Sequence, residues 1–231
     1  MNDFFRFPHT PHIAWLGPGV PRNDKILTPH ELRDLLRADV VVEEKVDGAN
    51  LGFSVGEDGT LYGQNRGTYL DIETPQGQWK PLKRWLAAHQ RTLVDALWPD
   101  LVLFGEWCFA VHGIRYTHLP DWFLAFDIYD RATGDFWSAR RRNDLLNSLD
   151  ICAVPELGRG HQTLESLKTL LTQSRLTDGP AEGLYVRQEL GGLLKARAKL
   201  VRAEFVQAIE QHWSKRQLEE NQLANGESEA R

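Results

Sequence analysis

Lys45, Asp47 and Gly48 stand together in Glu43-Glu44-Lys45-Val46-Asp47-Gly48, directly after the β-branched run Val40-Val41-Val42. A primary amine at the end of a buried strand can act as a nucleophile toward phosphorus once it is neutral. A free lysine titrates near ~10.4, so well under about 1% is neutral at pH 7. Desolvation, a neighbouring cation or a divalent metal must therefore lower that value. Asp47 is a candidate to help hold such an ion through its water shell, and Gly48 lets backbone approach a bound group closely. By itself the pattern carries little weight. Lys-x-Asp-Gly arises by chance in about one chain in twenty of this length, and Asp-Gly is also an ordinary turn signal.

Other residues whose types suit chemistry follow downstream. Arg66 lies in the loop-like Gly63-Gln64-Asn65-Arg66-Gly67. Glu106 sits among apolar neighbours in Leu103-Phe104-Gly105-Glu106-Trp107, where a carboxyl is costly unless bonded or functional. Phe126 and Asp127 lie inside the apolar run 123–130, and Glu182 precedes a glycine in Glu182-Gly183-Leu184-Tyr185-Val186-Arg187. Lys195, Arg197 and Lys199 alternate, so on a strand they share one face. His112, Arg115 and Tyr116 follow closely on Glu106. Arg140-Arg141-Arg142 is the densest cationic run, and on a helix it wraps around the axis, which reads as a solvated surface.

The elements that must position these groups alternate between strands and helices. Thr28-Pro29-His30-Glu31 has the form of a capping box, with Leu32, Leu35 and Leu36 as the buried stripe of a first helix. Strands are expected at 40–45 and 49–55, placing Lys45 between them, and a long amphipathic helix at 81–97. Further strands are expected at 101–107 and 122–130. A helix follows from Ala139, then a hairpin turning at Gly191-Gly192, then a helix over 202–220 ahead of a frayed tail. The fold class is α+β with largely antiparallel sheets flanked by helices.

Composition narrows the function. With 231 residues, 42% of them hydrophobic, the chain can bury one main core. A net charge of −5 provides no global attraction for a polyanion, so any nucleic-acid site must be a local basic patch. The cysteines, Cys108 and Cys152, form no disulfide framework or metal cluster pattern, and no run of eighteen apolar residues occurs. A cytoplasmic location and no membrane insertion are expected.

In order and spacing these segments resemble the ATP-dependent RNA ligases of the covalent nucleotidyltransferase superfamily, a family that small bacterial and phage enzymes represent. The resemblance covers nearly the whole chain and implies a ligase adenylation-domain fold. It implies that Lys45 attacks the α-phosphate of ATP to form lysyl-AMP, with Glu44 at the adenine and Asn50 near the phosphates. Arg66 would touch the ribose and the RNA end, Glu106 the ribose hydroxyls, and Phe126 the adenine face, with Asp127 in support. Glu182, and more distantly Asp47, would hold Mg2+ or Mn2+. A cation pair drawn from Lys195, Arg197 and Lys199 would bind the α-phosphate, Lys199 with Arg197 being favoured. His112, Arg115, Tyr116 and Arg66 are candidates for the RNA-end pocket.

The implied reaction has three steps. AMP passes from ATP to Lys45, then to an RNA 5′-phosphate, and is finally displaced by a 3′-hydroxyl. The implied division is an adenylyltransferase core at 1–200 with a helical extension at 201–231 and no OB-fold domain, so sealing would call on a helper protein or domain for RNA binding. DNA ligase, GTP-dependent capping enzyme and noncatalytic RNA-end-binding module are the alternatives.

Overall fold

The computed structural model describes residues 4–17, 25–208 and 218–224. Its first helix, α1 (Pro29–Leu36), has the expected capping box. Thr28 Oγ1 accepts from Glu31 N–H at 3.2 Å, and Glu31 Oε2 accepts from Thr28 N–H at 2.8 Å. Two antiparallel sheets follow among the described residues. In the first, β1 (Val40–Lys45) lies between β7 (Glu156–Gly160) and β8 (Gly183–Leu190), with β9 (Leu193–Val201) beside β8. In the second, β2 (Ala49–Val55) lies between β3 (Leu61–Gln64) and β4 (Leu101–Trp107), and β4 continues to β5 (Phe123–Asp130) and the short β6 (Asp135–Phe136).

Each sheet covers one face with helices. α2 (Leu82–Leu97) lays Leu82, Trp85, Leu86, Leu93 and Leu97 on the second sheet against Phe53, Trp107 and Phe123. Leu93 and Leu97 are fully buried, each contributing about 2 kcal/mol of hydrophobic transfer. α1 and α4 (Leu164–Leu170) bury Leu35 and Leu167 against Val40, Val42, Leu184 and Val186 of the first sheet. The N-terminal segment adds Phe5 and Phe7 to a cluster with Val102 and Phe104. It then joins the first sheet, where Ile13 N–H donates to Lys199 O at 2.7 Å and Lys199 N–H to Pro11 O at 2.8 Å.

The β8–β9 hairpin turns at Gly191 and Gly192 with φ of +62° and +79°, the left-handed pair that two-residue loops require. α3 (Ala139–Ser148) begins where expected, capped by the Ser138 hydroxyl accepting from Arg141 N–H at 3.3 Å. β7 and α4 are additions that the sequence reading lacks. The expected helix over 202–220 is only partly realised. α5 spans Ala203–Ala208 and residues 209–217 lie outside the described residues, but 218–224 is extended, with Glu220 and Leu223 bridging to Ala110 and Leu119. The expected frayed tail, 225–231, also lies outside the described residues. Among the described residues no helix is long and apolar enough to cross a membrane.

Candidate active site

Lys45, the last residue of β1, opens into a cavity between the two sheets. Glu44, Asn50, Arg66, Glu106, Phe126 and Lys199, all candidates from the sequence, line it with Lys45. Phe7, Pro8, His9 and Thr10 of the N-terminal segment and Val46, Val154 and Tyr185 complete the wall. Val154 and Tyr185 had no sequence signal of their own, because a coil residue and a strand aromatic become pocket walls only through long-range pairing.

The Lys45 amine is held by Glu182. Nζ donates to Glu182 Oε1 at 2.7 Å and Oε2 at 2.6 Å. Burial works to lower the Lys45 pKa, but the carboxylates of Glu182, Glu106 and Asp47 outweigh it and leave the amine above its ordinary value. Of the agents expected to lower the lysine, burial alone is therefore insufficient here. Three carboxylates in a weakly screening site favour the ammonium. The same crowding acts on the acids. Burial raises Glu182 to about 7, against the pull of Lys45 and with Asp47 adding to the rise. Burial likewise raises Glu106 to about 7, with Lys45 and Arg66 opposing and Glu182 and Asp47 assisting. Glu106 Oε1 also accepts from Gly48 N–H at 3.2 Å.

Asp47 and Gly48 prove to have framework duties. Asp47 Oδ2 accepts from the Gly113 and Ile114 amides at 2.6 and 3.2 Å, and Asp47 N–H donates to Tyr116 Oη at 2.8 Å. A Cβ on Gly48 would come 2.5 Å from the Trp107 carbonyl oxygen, so the glycine clears β4. Asn50 Oδ1 is buried on the pocket wall with no hydrogen-bond partner, an acceptor that a bound donor would satisfy. Arg66 is exposed at the rim in a turn held by Asn65 Oδ1, which accepts from Gly67 and Thr68 N–H at 2.8 and 2.9 Å. The Phe126 ring stands edge-on to Phe7, centroids 5.2 Å apart at 76°.

Glu44 is buried on the pocket wall, and its carboxylate accepts from Ser174 Oγ at 2.5 Å and Arg175 N–H at 2.8 Å. Burial raises its pKa in spite of those bonds. Several expectations require correction. Of the three alternating cations only Lys199 lines the pocket. β8 pairs Gln188 with Ala196 but Glu189 with Leu194, so Lys195 is the extra residue of a bulge and lies exposed, off the shared face. Arg197 is bound to Asp127 Oδ2 at 3.1 Å and lies over the rings of Phe7 and Phe136, leaving it unsuited to a phosphate. Tyr116 is fully buried under the Asp47 loop, which removes it from RNA contact. Arg115 pairs with Glu219 and donates to Glu220 O at 3.1 Å, and His112 Nε2 meets Gln78 Oε1 at 2.9 Å. Neither lines the cavity. Burial lowers the His112 pKa, against an upward pull from Asp47.

The arginine run is not a uniform surface. Arg140 and Arg141 are exposed, whereas Arg142 is completely buried and ion-paired with Glu43 at 2.5 Å. Arg142 Nη1 and Arg187 Nη1 both donate to the Phe126 carbonyl, and Arg187 also binds Asp127 Oδ1 at 2.6 Å. Tyr185 Oη completes this layer by donating to Asp127 Oδ2 at 2.8 Å. These buried charges tie β1, β5, β8 and α3 together behind Phe126.

For a metal, Glu182 and Glu106 offer hard oxygen ligands. Among the described residues no three His, Cys, Asp or Glu side chains gather as a metal-binding group. The donor set therefore fits an ion that takes one or two carboxylates and completes its shell with water and phosphate, the habit of Mg2+.

Residues 38–201 match the sequence model of a family described as RNA ligase. No curated protein sequence matches the chain. Among solved structures, the fold is similar to an RNA ligase of Naegleria gruberi, an E227A mutant with ATP and Mn, at TM-score 0.61 and 17% identity, covering 90% of this chain and 59% of that one. An archaeal ATP-dependent RNA ligase aligns at TM-score 0.55 and 18% identity, covering 85% of this chain and 48% of that chain. A putative ATP-dependent DNA ligase from Aquifex aeolicus gives TM-score 0.55 and 22% identity, covering 86% and 50%. At these identities the likeness is one of fold. The chain spans about half to three-fifths of the length of these structures.

Proposed function

Because this chain belongs to the RNA ligase family, we propose that it is an ATP-dependent RNA ligase in which Lys45 carries the AMP. The observation that carries the reading is the Lys45 amine, bonded to Glu182 in a pocket whose walls also present Lys199, Phe126 and the unsatisfied Asn50 oxygen. Adenylylation forms a bond from Lys45 Nζ to the α-phosphorus and breaks the bond to the β-phosphate oxygen, releasing pyrophosphate. The amine must first shed its proton and its hold on Glu182. Lys199 faces the phosphate charge that develops, an interaction worth most in a site shielded from water. Phe126, Glu106 and Asn50 orient the nucleoside, and Arg66 at the rim meets the ribose and an arriving RNA end. A divalent cation, Mg2+ or Mn2+, would be held by Glu182, with Asp47 and Glu106 near it, and would supply charge neutralisation. Transfer to an RNA 5′-phosphate and displacement of AMP by a 3′-hydroxyl complete the sequence.

Residues 1–200 serve as the catalytic core and 201–231 as its C-terminal extension. RNA binding for full sealing comes from a helper protein or domain. The free cysteines Cys108 and Cys152 suit the cytoplasm. The reading is tested with α-labelled ATP or GTP plus Mn2+ and a denaturing gel. Label from ATP that disappears in Lys45→Ala supports it, and no covalent label with either nucleotide would sink it. Label from GTP alone would favour a capping enzyme. Nicked duplexes with RNA or DNA on each side of the nick then separate RNA from DNA ligase.

A further inference from the structure

We infer that Asn221 is a positioning residue for the nucleophile loop, acting through Tyr116 and Asp47; the inference rests on the adenylyltransferase reading of Lys45. Residues 108–119 run between β4 and β5 largely without regular structure, so their backbone groups need partners from outside. Segment 218–224 supplies them. Asn221 is 2% exposed and every polar group of its side chain is spent on this loop: Oδ1 accepts from Tyr116 N–H at 2.8 Å, and Nδ2 donates to Cys108 O at 2.8 Å and Ala110 O at 3.2 Å. Its backbone N–H donates to Phe109 O at 2.9 Å. On either side of it, Val111 N–H donates to Glu219 O at 2.8 Å and Gln222 N–H to Tyr116 O at 3.0 Å.

The loop so ordered holds Lys45's neighbour at three points. Tyr116 Oη accepts from Asp47 N–H, and the Gly113 and Ile114 amides donate to the Asp47 carboxylate. Asp47 is two residues from the nucleophile and one from Gly48, whose amide is bonded to Glu106. Releasing Asn221 therefore loosens the turn that aims the amine, while Phe126, Asn50 and Lys199 keep their places on other strands. The loss belongs in the chemical step, with ATP binding spared, because a nucleophile displaced by about 1 Å costs up to about a hundredfold in rate.

The test measures lysyl-AMP formation in single turnovers by the full chain with ATP and Mn2+, as a function of ATP concentration. Asn221→Ala is expected to lower the saturating rate about ten- to a hundredfold with half-saturation moved less than about threefold. Tyr116→Phe removes a single oxygen and is expected to do likewise. The double variant should be no slower than the slower single one, since both act along one chain of contacts. Asn221→Asp keeps the acceptor for Tyr116 N–H but sets a carboxyl oxygen against the Cys108 and Ala110 carbonyls, so its rate falls at least as far as that of Asn221→Ala, and Tyr116→Phe serves if the alanine variant does not fold. A folded Asn221→Ala that labels at the wild-type rate, or that loses ATP affinity instead of rate, overturns the inference and leaves the functional reading standing. Should the wild type itself fail to label, amide hydrogen exchange decides separately. Faster exchange at Asp47 and Gly113 in Asn221→Asp supports the linkage, and unchanged protection there overturns it.

Discussion

Replacing Arg142 by methionine tests how the layer behind the pocket is held. The guanidinium is 0% exposed and reaches Glu43 Oε1 at 2.5 Å and Oε2 at 3.3 Å, with Glu43 1% exposed. Removing one member of a buried pair costs about 3–5 kcal/mol, because the other charge stays desolvated without compensation. Arg187 Nη1 lies 3.6 Å from Glu43 Oε2 and takes up part of the charge, which places the expected loss near the lower end, about 3 kcal/mol. Against a total stability of roughly 5–15 kcal/mol this leaves a folded protein with a clearly lowered midpoint. For a chain of this size the shift is about 6–12 °C in thermal unfolding. The double variant Glu43→Met/Arg142→Met removes both charges and is expected to recover most of the loss, since two apolar side chains of similar volume need no hydrogen bonds. Paired urea titrations of the wild type, the single and the double variant read both values. A single variant that loses less than about 1 kcal/mol, or a double variant less stable than the single, refutes the desolvation argument.

Lys199→Ala is expected to slow covalent labelling by ATP about a hundredfold or more, whereas Lys195→Ala stays within about twofold, because the bulge turns Lys195 out of the pocket. Equal losses would overturn the register argument. Lys45 must lose its proton before it can attack, so labelling at saturating ATP and Mn2+ is expected to rise with pH between 7 and 9. A flat profile would show that deprotonation does not limit the step. Glu106 and Glu182 titrate near 7 in the fold, against 4.5 for an unperturbed carboxyl. The folded state therefore binds more protons in that window. Without metal, their contribution to stability is full below pH 4.5 and is lost as the pH rises through 7, by at most about 3 kcal/mol for each group. The urea midpoint is expected to be higher at pH 5 than at pH 8, with Glu106→Gln flattening the difference. A midpoint that rises over this range contradicts the assignment.

Much of this protein is legible in its sequence because the signals are local. The capping box at Thr28, the apolar stripe of α2, the alternating strands and the paired glycines of the β8–β9 hairpin each depend on residues within a few positions of one another. Lys45, Arg66, Glu106, Phe126, Glu182 and Lys199 were likewise readable as a series in order along the chain, and the fold brings them to one site, all but Glu182 on the wall of one cavity. What each of their neighbours does was settled only by long-range pairing. The alternation of Lys195, Arg197 and Lys199 promised a shared face, and a one-residue bulge together with an aspartate on another sheet dismantled it. Arg142 looked solvated within a triple arginine, and a glutamate ninety-nine positions away made it core. Tyr116 looked like a ligand contact, and Asp47 and Asn221 made it a buried strut. Residue type and local period determine the elements and the reactive groups, since those depend on short-range sterics and burial. Protonation state, access and partnership depend on charges and donors brought together from distant parts of the chain, and those the tertiary structure alone decided.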